Sequence, residues 1–239
     1  MDNFSFYEFA YFVFILSMII YIWFGARHIY NKEYTYFEIK NLHYDDIQTG
    51  DIILLTYSDP ITVFNQGLIC MKFIHAALCS REGSNVYVYE FSNYFGEKMG
   101  FLKLPFSEWI KYNKNGLIMI NKLGIEDDSK YKRKQLSLKL NNFRNENMTD
   151  KDFSFMDFIG RYLMPTKKYQ DFDNKRTDYA CYELVLNMLK ELEVIESLNA
   201  TETYATDDII GMKKFNLNQQ YNYDEFFIAD VTSLKFISD

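Results

Sequence analysis

The stretch Thr177-Asp178-Tyr179-Ala180-Cys181-Tyr182-Glu183-Leu184-Val185 opens the most regular helical pattern in this chain. Apolar residues then recur at the spacing of one buried helix face, at Cys181, Val185, Met188, Leu192 and Ile195. Asp178, or Thr177 before it, can cap the first free backbone N–H groups. The pattern therefore predicts a helix that runs to Ile195, with Cys181 on the buried side of its first turn.

A cysteine at this position has two interpretations. The positive end of a helix dipole favours the thiolate, which is the nucleophilic form. A free cysteine is equally a common small apolar residue of protein cores. Position alone favours the core interpretation, and a base beside Cys181 would favour the nucleophile. The chain has 3 histidines that could supply this base.

Composition limits the functional classes. The 239 residues are 48% hydrophobic and 25% charged, which is typical of one large globular domain or two small ones. The net charge of -7 argues against nucleic-acid binding. Three cysteines in a chain of this length do not form a disulfide framework, so we expect reduced thiols and a domain that faces the cytosol.

An almost unbroken apolar run extends over residues 9–26. Its length nearly matches a bilayer core of about 30 Å, so we expect a transmembrane anchor in residues 1–33 and a main domain in residues 34–239. The basic residues Arg27 and Lys32 follow the run, which places the main domain on the cytoplasmic side. The alternatives are a cleaved signal peptide, which normally has a basic start, and a buried aromatic-rich helix.

The order of the predicted elements indicates an α+β fold, because strands come first and helices follow. We expect strands near residues 49–55, 73–79, 85–91, 101–104, 116–120 and 226–229, and helices near residues 107–112, 130–144, 153–163, 177–195 and 205–214. A polar insertion covers residues 126–152. Its basic cluster could lie on an anionic membrane or form a solvated helix face: Lys130, Lys132, Arg133, Lys134.

The two strands around Glu82-Gly83 place a histidine near a carboxylate. A two-residue turn there pairs His75 directly with Glu90, on one face and about 5 Å apart. Such a carboxylate orients an imidazole and makes it more basic. A shift of one residue would instead place Tyr89 or Phe91 opposite His75. Small residues beside His75, Ala77 and Cys79, would leave room for the start of the Cys181 helix, giving a Cys–His–Glu arrangement.

These segments, in this order, resemble the circularly permuted papain-like cysteine hydrolases. This branch of the NlpC-type superfamily includes the YiiX-like and poxvirus amidase-like proteins and the lecithin retinol acyltransferases. The resemblance covers residues 47–198, and Tyr182 departs from the small serine that is common at its position. The matching motifs are Gly50-Asp51-Ile52-Ile53, Phe73-Ile74-His75-Ala76-Ala77-Leu78, Glu90 and Tyr179-Ala180-Cys181-Tyr182-Glu183-Leu184-Val185.

The resemblance implies a papain-like domain, in which an antiparallel sheet packs on helices, and acyl chemistry without a cofactor. Cys181 would form a thioester, His75 would act as the base, and Glu90 would orient it. The Cys181 backbone N–H, with Tyr179, would stabilise the oxyanion. The substrate would be an amide or an ester, of a peptide or a lipid. A viral chain of this type would lie in the virion interior.

Two alternatives compete with this hypothesis. The first is a zinc site formed by Cys70, His75, Cys79 and Cys181. If His75 and Cys79 share a strand, they lie about 13 Å apart at ~3.3 Å per residue, which is too far for one ion. The second is a catalytically silent, membrane-anchored structural or interaction protein that retains the papain-like fold.

Overall fold

The computed structural model describes residues 6–31, 44–57, 66, 73–94, 98–114, 116–147, 181–198, 204 and 206–230. The strands are β1 (Ile52–Tyr57), β2 (His75–Glu82), β3 (Asn85–Tyr94), β4 (Lys98–Pro105), β5 (Gly116–Ile125), β6 (Ile195–Ser197), β7 (Asn216–Leu217) and β8 (Tyr221–Asp230). The α-helices are α1 (Phe6–Asn31), α2 (Phe106–Tyr112), α3 (Lys130–Asn147) and α4 (Cys181–Glu191). Short 3-10 segments cover Tyr44–Asp46 and Thr206–Met212.

Six strands form one antiparallel sheet in the order β4-β3-β2-β1-β5-β8. Because successive side chains of a strand point to opposite faces, the sheet buries one apolar set on each side. On one face, Ile52, Leu54, Ala76 and Leu78 share a cluster with the apolar side of α4. The predicted α+β class, with an antiparallel sheet packed on helices, is therefore confirmed.

The opposite face is covered by the short helix α2. Ile53 and Ala77 from this face share a cluster with Phe106 and Trp109 of α2. Phe106 and Trp109 are both buried, and their rings stack with centroids 5.7 Å apart. The sheet is thus the middle of three layers, with α3 and α4 on one side and α2 on the other.

The Gly50-Asp51 motif fixes the start of β1. Gly50 has φ 93, and a Cβ there would lie 2.2 Å from Leu123 Cδ2, so the position requires glycine. The buried Asp51 carboxylate accepts the backbone N–H groups of Gln48 at 2.8 Å and Leu123 at 3.0 Å, and it pairs with Lys122. Burial raises the pKa of Asp51, although Lys122 and the two N–H groups act in the opposite direction. The motif therefore ties β1 to the neighbouring strand β5.

The polar insertion supplies a core helix as well as a surface. In α3, Leu136, Leu140 and Phe143 are buried in the same cluster as α4. Arg133 of the basic cluster turns inward and donates to the carbonyl oxygens of Thr49 and Leu123, each at 2.7 Å. Arg133 is therefore a structural residue and is not part of a solvated or membrane-facing surface.

The predicted end of the Cys181 helix is wrong. The helix α4 ends at Glu191, and Ile195 begins strand β6. Glu193 adopts a left-handed conformation with φ 58, its N–H donates to Lys190 O at 2.9 Å, and the N–H of Val194 donates to Leu189 O at 2.9 Å. These two bonds form a Schellman C-cap, in which the residue after the cap usually is glycine. The apolar period continued past the end because Val194 and Ile195 are also buried.

One other prediction needs correction. The predicted helix over residues 205–214 is a 3-10 segment, Thr206–Met212, which is interrupted at Ile210 and Gly211. The helix predicted over residues 153–163 lies outside the described residues. The predicted capping residues Thr177 and Asp178 also lie outside them. The predicted strands and the turn at residues 107–112 agree in position with β1 to β5, β8 and α2.

The anchor predicted over residues 9–26 falls on α1. Its side chains between Tyr11 and Trp23 include ten large apolar groups that are exposed. In the described part of the chain, no helix has the length and hydropathy needed to cross a bilayer.

Replacing Glu193 by glycine should stabilise the fold. A left-handed conformation costs a non-glycine residue roughly 1 to 2 kcal/mol, whereas the exposed ion pair of Glu193 with Lys139, at 2.9 Å, contributes little. We expect Glu193→Gly to raise the free energy of unfolding by about 1 kcal/mol, measured by urea denaturation. The control Glu191→Gly, inside the helix, should lower it, and a loss of stability in Glu193→Gly would contradict the C-cap assignment.

Candidate active site

His75 is the first residue of β2, a central strand of the sheet. Its position opposite Leu55 of β1 is fixed by the ladder between the two strands. The two preceding residues are also held, because Ile74 N–H donates to Leu55 O at 3.1 Å and Phe73 N–H donates to Asp207 Oδ1 at 3.1 Å. The imidazole is therefore attached to a backbone that is fixed on both sides.

The predicted hairpin register is wrong by two residues. Glu82 pairs with Asn85 and Leu78 pairs with Tyr89, so the turn is Gly83-Ser84. Gly83 has φ 65, and a two-residue hairpin loop favours glycine at its first position. Extending this register places Glu90 diagonally across from His75. A shift by two residues preserves the face, and a diagonal neighbour stays within reach of long side chains.

His75 and Glu90 are joined by a short hydrogen bond. His75 Nε2 lies 2.7 Å from Glu90 Oε2, and the Glu90 side chain is fully buried whereas the His75 side chain is 17% exposed. Trp109 Nε1 donates to the same Glu90 oxygen at 3.0 Å. The predicted His–Glu pair is thus present in the structure, although through the diagonal contact and not the direct one.

Cys181 reaches this pair from the other layer. It is the first residue of α4, it is 4% exposed, and its Sγ lies 3.9 Å from the carbonyl oxygen of Ile74. The sulfur also lies close enough to the imidazole of His75 to act on the pKa of that ring. Because Glu90 occupies Nε2, Nδ1 is the ring nitrogen that remains for the sulfur.

The predicted packing of the helix start is wrong. Cys181 does not lie against Ala77 and Cys79, because these two residues belong to the cluster on the α2 face. The helix α4 packs on the opposite face, with Ala76 and Leu78. The sulfur lies near the imidazole at the first residue of β2, where the strand begins and the two layers approach each other.

The surroundings of His75 favour its charged form. Burial alone would lower the pKa of this imidazole. The interaction with Cys181, followed by the hydrogen bond and charge of Glu90, outweighs burial and raises the pKa of His75 to about 10. At neutral pH the surroundings therefore favour the charged form of His75, which lies between Cys181 and Glu90.

The remaining predicted site residues have different positions. Tyr182 is buried in the core cluster of α4. Tyr179, the candidate oxyanion donor, and Cys70 lie outside the described residues. Cys79 is buried in β2, and burial together with the charge of Asp51 raises the pKa of its thiol well above the usual value. Within the described ranges, no three Cys, His, Asp or Glu side chains are grouped as metal ligands.

Trp109 was missed by the sequence analysis. The turn that contains it was predicted, but no pattern in the sequence connects an indole at position 109 with a glutamate at position 90. The connection is made by the sheet, because β4 pairs Leu102 with Glu90 and leads directly into α2.

No family model matches the chain, and no curated protein matches it. A solved structure with some similarity is the metalloprotein yiiX from Escherichia coli O157:H7, with 17% sequence identity and a TM-score of 0.36. The alignment covers 62% of this chain and 67% of that chain.

Replacing His75 should remove the high reactivity that we expect of Cys181. A protonated imidazole beside a sulfur stabilises the thiolate, so iodoacetamide should label Cys181 rapidly at about pH 6, well below the usual cysteine range. The rate should be nearly constant until His75 loses its proton near pH 10. In His75→Ala the rate at about pH 6 should fall at least about tenfold and then rise with pH.

Peptide mass spectrometry measures the labelling of each cysteine separately. The buried thiol of Cys79 provides an internal control and should remain unlabelled in both native proteins. Equal rates for Cys181 in the wild-type protein and in His75→Ala at about pH 6 would show that the imidazole does not activate the sulfur.

Proposed function

We propose that this chain is a cysteine hydrolase or acyltransferase of the permuted papain-like type. The observation that supports this function best is the bond of 2.7 Å from His75 Nε2 to Glu90, beside a Cys181 sulfur that is close enough to raise the pKa of His75. A nucleophile, a base and a group that orients the base are the parts needed for covalent acyl transfer. The buried carboxylate and its short bond distinguish this arrangement from a histidine at a protein surface.

The reaction would proceed through a thioester on Cys181. The thiolate attacks the carbonyl carbon of an amide or ester, and the tetrahedral oxyanion forms. As the oxyanion collapses, the carbon–nitrogen or carbon–oxygen bond breaks and His75 gives its proton to the leaving group. Water or a second acceptor then attacks the thioester, His75 takes its proton, and the sulfur leaves as thiolate.

The start of α4 suits oxyanion stabilisation. Cys181 is the first described residue of the helix, and the first backbone N–H groups of a helix have no partner within it. The Cys181 N–H is therefore a suitable donor to the oxyanion. Tyr179, from outside the described residues, would be a second donor.

A catalytically silent interaction protein is the second candidate. It is favoured by the burial of Cys181, which is 4% exposed, because a nucleophile must be reached by its substrate. The acylation experiment below distinguishes the two functions, since a silent protein with this fold would not form an acyl-enzyme.

An activated ester should acylate Cys181. With p-nitrophenyl acetate, intact mass spectrometry after an acid quench should show one acetyl group on the wild-type protein and none on Cys181→Ala. In Glu90→Gln the rate of acylation should fall about a hundredfold, because the base loses its orienting charge. Glu82→Gln is a matched control, since Glu82 binds Lys103 at 2.7 Å at the other end of β2.

Glu82→Gln should acylate at the wild-type rate. The proposed function would be contradicted if the acetyl group were found on another residue, or if Cys181→Ala were acetylated as fast as the wild-type protein.

We also propose that α1 binds the surface of a lipid bilayer and keeps the domain near acylated or lipid-linked substrates. Between Tyr11 and Trp23 this helix has no charged residue, and a helix that is apolar on all sides normally is covered by protein or lipid. Ten large apolar side chains between Tyr11 and Trp23 are exposed.

Introducing two charged residues into α1 should weaken its binding to vesicles. Replacing Ile15 and Ile19 by lysine removes the burial of two apolar side chains, roughly 3 kcal/mol. The fraction that floats with phosphatidylcholine vesicles should fall at least about tenfold. The control Tyr131→Lys, at an exposed position of α3, should float like the wild-type protein. Equal flotation of the double lysine variant would contradict membrane binding through α1.

A further inference from the structure

Trp109 lies behind the proposed catalytic pair. Its indole Nε1 donates at 3.0 Å to Glu90 Oε2, which is also the oxygen 2.7 Å from His75 Nε2. Trp109 and the Glu90 side chain are both fully buried. A buried carboxylate needs strong donors, because moving its charge out of water is costly. The indole N–H provides such a donor and cannot accept a proton itself.

Trp109 is held in a fixed orientation. Its ring stacks on Phe106 with an interplanar angle of 14° and a centroid distance of 5.7 Å. Its carbonyl oxygen accepts the backbone N–H of Asn113 at 3.2 Å and the side-chain amide of Asn113 at 2.9 Å. The helix α2 follows directly after β4, which pairs with the strand that contains Glu90. The indole therefore is supported at its ring and at its backbone.

We propose that Trp109 is a positioning residue of this site: its N–H fixes the Glu90 oxygen against His75 and thereby keeps the imidazole charged and directed at Cys181. This inference rests on the proposed function. The titratable groups that act on His75 are Cys181 from α4 and Glu90 from β3. A hydrogen bond to an ionised carboxyl favours the charged form, so the effect of Trp109 reaches the sulfur through Glu90 and then His75.

The test measures the reactivity of Cys181 as a function of pH. Trp109→Phe keeps an aromatic ring but removes the N–H donor. The rate of iodoacetamide labelling at about pH 6 should fall roughly tenfold, the effect expected for a lost hydrogen bond to a charged group. The rate should also rise with pH, where the wild-type rate is nearly constant. A purely structural role would not change the shape of this pH profile.

Two further variants separate chemistry from packing. Phe106→Leu disturbs the same stack without removing the donor, and it should retain the wild-type pH profile. If Trp109→Phe does not fold, benzothienylalanine at position 109 replaces the N–H by sulfur in a ring of equal size. Trp23 is the other tryptophan of the chain, so this replacement is made in a Trp23→Phe background.

The outcomes distinguish this inference from the proposed function. Rapid labelling of the wild-type protein, with slow and pH-dependent labelling of the 109 variants, would support both. Equally rapid, pH-independent labelling of wild-type and 109 variants would overturn the role of Trp109 and leave the proposed function intact. Slow labelling of the wild-type protein would overturn both.

Discussion

A carboxylate cannot stay ionised inside a protein unless other groups replace the water that it has lost. Glu90 meets this condition with two donors on one oxygen, the imidazole of His75 at 2.7 Å and the indole of Trp109 at 3.0 Å. The three groups come from β2, β3 and α2, and they meet because the sheet brings these elements together. The pKa of the imidazole is raised by Cys181 first and by Glu90 second, so the charge of His75 depends on both neighbours.

The position of the site follows from the layering of the fold. Glu90 and Trp109 belong to the α2 side of the sheet, whereas Cys181 belongs to the α4 side. A strand separates the two sides along most of its length, so contact is possible where a strand begins. His75 is the first residue of β2 and connects the layers there. The site therefore combines the first residue of β2 with the N-terminal, positive end of the α4 dipole.

Much of the fold could be predicted because it depends on local patterns. Short runs rich in apolar and β-branched residues, bounded by turn residues, indicated β1, β2 and β3, and the period of 3.6 indicated α4. The pairing of His75 with Glu90 was predicted with an incorrect register, and the face was still correct because the error was two residues. The register was wrong because the turn was placed at Glu82-Gly83. In the structure the turn is Gly83-Ser84, and Gly83 adopts a left-handed conformation as its first residue.

Other features could not be predicted because they depend on contacts between distant parts of the chain. The end of α4 depends on the left-handed Glu193, a residue that carries no sequence signal for a helix C-cap. The role of Trp109 depends on the pairing of β3 with β4, which brings position 90 next to a helix that starts sixteen positions later. The side of the sheet on which Cys181 lies is also a property of packing, and the apolar period could not indicate it.

The most direct test of the central claim is the titration of the His75 imidazole by ¹⁵N nuclear magnetic resonance, with the signal assigned by comparison with a His75→Gln variant. An imidazole held between a thiolate and a buried carboxylate should remain protonated through neutral pH and titrate at about pH 10. A midpoint at or below the usual histidine value of about 6.5 would contradict the account, because the imidazole would then carry no charge beside Cys181 at neutral pH.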